Sequence, residues 1–294
     1  MSIVRIQAAV RVFLATVRWR RKVRAHVFRT KVVYELLSSE ESYINSLVLI
    51  RQLFGTRPDL IPQNSPLFGN SDEIIAIHQE LLASLRSVLA SWGYHTTMAS
   101  IFLDRIGKLG EAHYTDVCGY GHSLELLSSL ESKQAVNKFL ESTSKSTAMA
   151  GRLLRDLLIL PVQRIPRYRL LLRELLKYTF PDHPDWTLLQ KAATQIEALL
   201  EKINTEKSHL EARAKVIEVA TTVKDAAGKF EFTPTDLFIC DGALLALPTH
   251  TFGGGGGEPS LRSSSATVGK STTPRPRYVF LFRDCLFLCK PVSK

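Results

Sequence analysis

The stretch from residue 160 to residue 176, LPVQRIPRYRLLLRELL, most constrains what this chain can fold into. It combines four arginines and two prolines with leucines that recur at helical spacing. Pro161 and Pro166 predict a kinked or restarted helix, because proline lacks the N–H of the helical ladder. The leucines of the apolar side are Leu170, Leu171, Leu175 and Leu176. We therefore expect a helix that packs on one side and offers another side to a partner.

The apolar pattern is helical from Lys31 to about Arg213. Breaks are expected at residues 55–70, near Trp92-Gly93, at residues 107–121 around four glycines, and at residues 181–184. Long helices joined by short polar breaks predict an elongated all-α helical bundle, which we place at residues 30–212.

After residue 212 the pattern changes to short apolar runs. Residues 237–240 and 243–247 flank Asp241-Gly242 and predict a β-hairpin. Residues 278–282 and 285–289 predict a second one. Between them, residues 253–277 are rich in Gly, Ser, Thr and Pro, and are expected to be disordered. Residues 213–294 are therefore predicted to form a small antiparallel β domain that is incomplete in strand number.

The positive charge of the chain is concentrated at its N-terminus. Residues 1–31 hold nine Lys or Arg and no Asp or Glu, while the rest carries 29 basic against 28 acidic residues. The near-neutral body argues against a nucleic-acid-binding protein. Residues 1–29 are predicted to form a basic amphipathic helix, because apolar residues recur every three or four positions between the arginines.

Enzymatic constellations are missing from the sequence. The four cysteines and eight histidines show no metal-ligand or nucleophile spacing, and Gly269-Lys270-Ser271 lacks the rest of a phosphate-binding loop. No apolar run is long enough to cross a bilayer. We expect a cytoplasmic protein without covalent chemistry, metal or cofactor, and leave open its recruitment to a membrane or to the cytoskeleton.

Three segments in order resemble the conserved regions of Dbl-homology domains, the helical modules of Rho guanine-nucleotide exchange factors. They are YELLSSEESYI at residues 34–44, LFGNSDEIIAIH at residues 67–78, and residues 161–176 followed later by Ile203-Asn204. The strands that follow resemble the first part of a pleckstrin-homology domain. This resemblance leaves open a peripheral contact with membrane phosphoinositides.

The resemblance implies acceleration of GDP release and GTP loading in a Rho-family small GTPase, by remodelling of its switch regions and magnesium site. It assigns the GTPase contact to Glu40, Gln163, Arg167 and Asn204, with Glu40 at the first switch. The alternative is a catalytically inactive, calmodulin-binding adaptor or scaffold with the same helical body.

Glu40 is unusual on the residues alone, because it shares a helical face with apolar side chains. These are Val33, Leu36, Leu37, Ile44 and Leu47. A carboxylate there needs a partner. An internal pair with Arg164, Arg167 or Arg173 would supply one, but the resemblance favours a carboxylate kept unpaired for the GTPase.

The N-terminal segment IQAAVR resembles the start of an IQ motif, which binds calmodulin as a helix in a groove. The resemblance assigns Ile6, Gln7 and Arg11 to calmodulin. A mitochondrial presequence and a helix lying on an anionic membrane are the alternatives that the same composition allows.

Overall fold

The computed structural model describes residues 3–62, 65–222, 238–246, 275–283 and 286–290. Two compact units divide the chain, Met1–Lys207 and Ser208–Lys294. Eight α-helices are described: α1 Ile3–Phe54, α2 Ser71–Ala90, α3 Ala99–Leu103, α4 Ile106–Glu131, α5 Gln134–Ser144, α6 Leu154–Leu158, α7 Leu160–Lys177 and α8 Trp186–Thr222. The prediction of an all-α body is confirmed, as are the breaks after α1, after α2 and between α7 and α8.

The core of the first unit holds two clusters of buried apolar side chains. One centres on Leu36, Phe102 and Ile196, and the other on Leu47, Ile61 and Ile74. α1 supplies residues to both clusters and α7 lies beside it, so these two helices form the frame for any surface between them.

The buried side of α7 differs in one respect from the predicted side. Leu171, Leu172 and Leu175 are buried, whereas Leu170 is 56% exposed. Pro161 occupies the first turn of α7, where a missing N–H costs little, and Pro166 lies inside the helix, which continues through it.

The predicted break at residues 107–121 is wrong, because α4 runs unbroken from Ile106 to Glu131. Glycine costs only about 1 kcal/mol in a helix, and packing of a long helix outweighs that amount. One of the four glycines has a packing reason: a Cβ at Gly110 would lie 2.5 Å from Cδ1 of Leu199 on α8.

Two of these glycines should therefore respond oppositely to alanine. Gly121 is exposed and a Cβ there meets nothing within 4 Å, so Gly121→Ala should raise the free energy of unfolding by about 0.5–1 kcal/mol. Gly110→Ala should lower it by about 1 kcal/mol, because Leu199 must be displaced. Urea denaturation measures both variants, and equal gains would show that Leu199 moves aside freely.

The N-terminal part of α1 is anchored to the body at Arg29. Nη2 of this buried side chain donates to Oδ2 of Asp185 at 2.8 Å and to the carbonyl oxygen of Thr96 at 2.8 Å. Asp185 also accepts from the backbone N–H groups of Met98 and Ala99, at the start of α3. The buried ion pair thus fixes where α1 leaves the body, while residues before about position 20 are exposed.

The described residues of the second unit form a three-stranded antiparallel sheet in the order β1, β2, β3. Its strands are β1 Phe238–Ala246, β2 Arg275–Phe282 and β3 Leu286–Cys289. The predicted pairing of β2 with β3 is confirmed. The hairpin at Asp241-Gly242 is wrong, because both residues lie inside β1 and pair with β2. Residues 275–277 belong to β2 and not to a disordered insert, and the rest of that insert lies outside the described residues.

Candidate functional site

A shallow groove of about 230 Å³ lies between α1 and α7. Serines from α1 face a glutamine and arginines from α7 across it, with an apolar side chain from each helix. The lining residues are Ser39, Ser42, Tyr43, Ser46, Leu160, Gln163, Arg164 and Arg167. The groove therefore unites the first and third of the sequence segments that the resemblance singled out.

Glu40 lies beneath this groove and is fully buried. Nη2 of Arg164 and the hydroxyl of Tyr168 both donate to its Oε2, the latter at 2.6 Å, and its Oε1 contacts Nδ1 of His78. Arg164 also donates through Nη1 to the carbonyl oxygen of Ser39 at 3.2 Å. One carboxylate thus connects α1 with both α7 and α2.

Two histidines extend this network into the core. Nδ1 of His113 donates to the carbonyl oxygen of Pro161 at 3.0 Å, since a carbonyl can only accept. Nε2 of His113 lies 2.9 Å from Nε2 of His78. Nδ1 of His78 in turn donates to Oε1 of Glu40, and burial holds the pKa of His78 below its ordinary value.

The charges of the network follow from burial and pairing. Burial by itself would raise the pKa of Glu40, but the hydrogen bond from His78 and the charge of Arg164 outweigh it and hold that pKa below its ordinary value. Burial lowers the pKa of His113 to about 3. At neutral pH the network therefore holds an ionised Glu40 and a neutral His113.

The guanidinium of Arg164 is also enclosed by aromatic rings. Its Cζ lies 4.9 Å from the ring centroid of Tyr43 and 4.6 Å from that of Tyr168, which are cation–π distances. Arg164 is itself 5% exposed, so its charge depends on Glu40 for neutralisation.

The expectation that Glu40 is unpaired is wrong. The internal pair that the residues allowed is formed with Arg164, while Arg167 and Arg173 pair elsewhere, with Glu35 and Glu197. The sequence places an acid on an apolar face of a helix. Its partner lies 124 positions away and is determined by how α1 and α7 pack against each other. Whether Glu40 contacts a GTPase stays a prediction.

The other predicted site residues are exposed. Gln163 and Arg167 line the groove together, whereas Asn204 lies on the exposed side of α8 and is not among the residues that line it. Nη2 of Arg167 donates to Oε1 of Glu35, one turn before Ser39 on α1, at 2.6 Å.

Sequence reasoning missed the inner members of the network, His78, His113 and Tyr168. His78 closes the second matching segment, so a partner for it could have been sought. His113 and Tyr168 carried no signal beyond lying at apolar spacing in their helices.

The N-terminal arm, residues 3–20 of α1, presents exposed apolar and basic side chains together. Ile6 is 51% exposed, and Gln7 and Arg11 are exposed as well. Within the described ranges, no cluster of His, Cys, Asp or Glu fits a metal ion, and no helix there is long and apolar enough to span a membrane.

Comparison with protein families gives a direct match. The model described as RhoGEF domain covers residues 32–204, from the first turns of the body in α1 to Asn204 in α8. The chain belongs to the RhoGEF domain family. The matched range contains the whole groove between α1 and α7 and all four residues predicted to contact a GTPase.

Relatives of this RhoGEF domain chain include Protein ECT2 of Mus musculus, 27% identical over 279 residues that cover 90% of this chain and 28% of ECT2. Human Rho guanine nucleotide exchange factor 17 is 32% identical over 195 residues, 60% of this chain and 9% of that protein. The chain thus spans little more than a quarter of the length of ECT2 and less than a tenth of the length of exchange factor 17.

Solved structures share the fold. The DH/PH domains of p115-RhoGEF align with a TM-score of 0.71 at 17% identity, over 92% of this chain and 73% of that one. The DH/PH fragment of PDZRHOGEF, solved in complex with human RhoA, aligns with a TM-score of 0.70 at 19% identity, over 90% and 75%. The predicted fold class, a helical body followed by a small antiparallel β segment, is confirmed.

Proposed function

We propose that this chain is a guanine-nucleotide exchange factor for a Rho-family small GTPase, and that it accelerates nucleotide release without covalent chemistry. The observation that carries the proposal is the RhoGEF match across residues 32–204, which includes the exposed groove with Gln163 and Arg167. The complex of a structural relative with RhoA supports the same class of partner.

Exchange by such a protein is a linkage between two binding equilibria. A partner that binds the nucleotide-free GTPase better than the loaded one lowers nucleotide affinity by that same difference. Magnesium is the largest counter-charge to the phosphates, so displacing its ligands weakens nucleotide binding strongly. This chain would supply the groove and its exposed polar side chains, and the ion belongs to the GTPase.

The buried network has a defined part in this proposal. It holds α1 against α7, so that Ser39, Gln163 and Arg167 face a partner from fixed positions. Glu40 reaches the first switch directly only by leaving its bonds to Arg164 and Tyr168.

Variants of the exposed residues test the site. Arg167→Ala and Asn204→Ala should each slow fluorescent-GDP release from the responsive GTPase, while the free energy of unfolding changes by about 0.5 kcal/mol or less, since both side chains are exposed. Arg173→Ala, which removes another exposed arginine of α7, is the matched control and should exchange normally. Equal rates in all three variants would contradict the assignment.

We infer a second function for the N-terminal arm, the binding of a calmodulin-type acidic protein. The stripe Ile3, Ile6, Val10, Phe13, Leu14 and Val17 is 47–73% exposed. Nine basic residues and no acid in residues 1–31 would repel a second copy of the arm. Val12 and Trp19, 66% and 68% exposed, lie away from this stripe by helical spacing, which fits an enclosing groove better than a flat membrane.

Binding of labelled calmodulin to the chain, with and without Ca²⁺, tests this partner. The chain should bind, and replacement of both Ile6 and Phe13 by Glu should abolish binding while leaving GDP release unchanged, because both side chains are exposed outside the RhoGEF match. Binding of the arm to phosphoinositide vesicles in place of calmodulin would favour membrane recruitment instead.

A further inference from the structure

Arg167 does not enter the groove as a free side chain, because it is held by an acid on the opposite helix. Nη2 of Arg167 lies 2.6 Å from Oε1 of Glu35, and the side chains are 48% and 52% exposed. Glu35 precedes Ser39 by four residues, so both lie on the side of α1 that faces α7. The ion pair therefore ties Arg167, which lines the groove, to α1.

Stability does not account for this pair. An exposed ion pair contributes little to the free energy of unfolding, since water screens it. α1 and α7 are already joined beneath the groove by the buried bonds from Arg164 and Tyr168 to Glu40. We therefore expect Glu35 to affect the orientation of Arg167 more than the free energy of unfolding.

We propose that Glu35 is a positioning residue of the exchange site: it orients the guanidinium of Arg167 toward an acceptor group on the GTPase. This inference rests on the proposed function. A guanidinium has five N–H groups in a rigid plane. In the part of the chain that the structure describes, Glu35 is its one hydrogen-bond acceptor, so the remaining N–H groups stay available to a carboxylate or carbonyl of the partner.

Positioning of this kind acts through the entropy of binding. A long side chain that is ordered only in the complex lowers affinity, and one that is ordered beforehand avoids that loss. Glu35 can keep its bond while Arg167 engages the partner, because different N–H groups serve the two acceptors. If Glu35 instead masked Arg167, it would compete with the partner for the guanidinium and would have to be displaced before binding.

The test is a double-mutant cycle on fluorescent-GDP release, using Glu35→Ala, Arg167→Ala and the double variant. Glu35→Ala should lower kcat/KM by about twofold to tenfold, the range expected for ordering one long side chain, chiefly through a higher KM. In the Arg167→Ala background the same change should have no effect. Glu35→Gln, which keeps an acceptor oxygen of the same reach, should recover part of the loss.

Glu41→Ala is the matched control. Glu41 also lies on α1 and also pairs with an exposed arginine, Arg86, at 2.7 Å, but that arginine, unlike Arg167, does not line the groove. It should leave kcat/KM and the thermal midpoint at the wild-type values. A midpoint lowered by Glu35→Ala alone would indicate a structural role and would overturn the proposal.

The remaining outcomes separate this inference from the function on which it rests. A raised kcat/KM in Glu35→Ala would identify Glu35 as a mask, and an unchanged value, or a loss that persists without Arg167, would show that it does not act through Arg167. Each of these overturns the inference and leaves exchange activity intact. A folded wild-type chain that releases GDP from no Rho-family GTPase overturns the proposed function and this inference together.

Discussion

Glu40→Ala is expected to lower the free energy of unfolding by about 3–5 kcal/mol, the typical cost of removing one partner of a buried ion pair. The substitution leaves the charge of Arg164 enclosed between the rings of Tyr43 and Tyr168, without its carboxylate. It also removes the acceptor of the Tyr168 hydroxyl. Since domains are stable by only about 5–15 kcal/mol, much of the protein should be unfolded at moderate urea.

Replacing both partners distinguishes the ion pair from simple loss of packing. In Glu40→Leu combined with Arg164→Met, no charge is left buried, so the double variant should be more stable than Glu40→Ala. Glu41→Ala, which alters a half-buried neighbour with a solvent-accessible ion pair, should change the free energy of unfolding by about 0.5 kcal/mol or less. A Glu40→Ala variant as stable as the wild type would show that the network is not formed in solution.

Acidification should destabilise the helical unit well above the pH at which carboxylates titrate. The folded pKa of His113 is about 3 and its ordinary value is 6.5, so the unfolded chain binds a proton that the folded chain excludes. This contribution is complete above pH 6.5 and is lost as pH falls toward 3. Between pH 7 and pH 5 the loss from His113 is about 2 kcal/mol.

Urea midpoints measured from pH 7 to pH 5 test this linkage. His113→Gln cannot titrate, so its free energy of unfolding, although lower at pH 7 because the bonds to His78 and Pro161 change, should fall less steeply with pH. Parallel curves for the wild type and the variant would show that His113 is not held neutral by burial. The lowered pKa of Glu40 adds its own loss only at lower pH, below about 4.5.

The helical body could be predicted because its signal is local. Apolar spacing and the prolines near residues 161 and 181–184 placed the last two helices of the body, Leu160–Lys177 and Trp186–Thr222, but the second of them continues past the predicted end of the body at residue 212. The glycine-rich stretch of α4 wrongly predicted a break in the helix, and the Asp241-Gly242 pair wrongly predicted a turn. Helix packing and strand pairing outweigh the weak conformational preferences of these residues.

The candidate site could be predicted only in part. The resemblance brought the segments around Glu40 and Arg167 together, and the structure places both at one groove, with Glu40 beneath it. Which arginine pairs with Glu40, and that Glu35 holds Arg167, depend on side-chain geometry between helices far apart in sequence. No periodicity within one helix contains that information.

The most direct test of the central claim is release of fluorescent GDP from a panel of purified Rho-family GTPases, RhoA among them, in the presence of the intact chain. We expect at least one GTPase to release nucleotide faster than its intrinsic rate, and Arg167→Ala to reduce this acceleration. Release at the intrinsic rate from every member, by a chain whose helical circular dichroism shows that it is folded, would contradict the account.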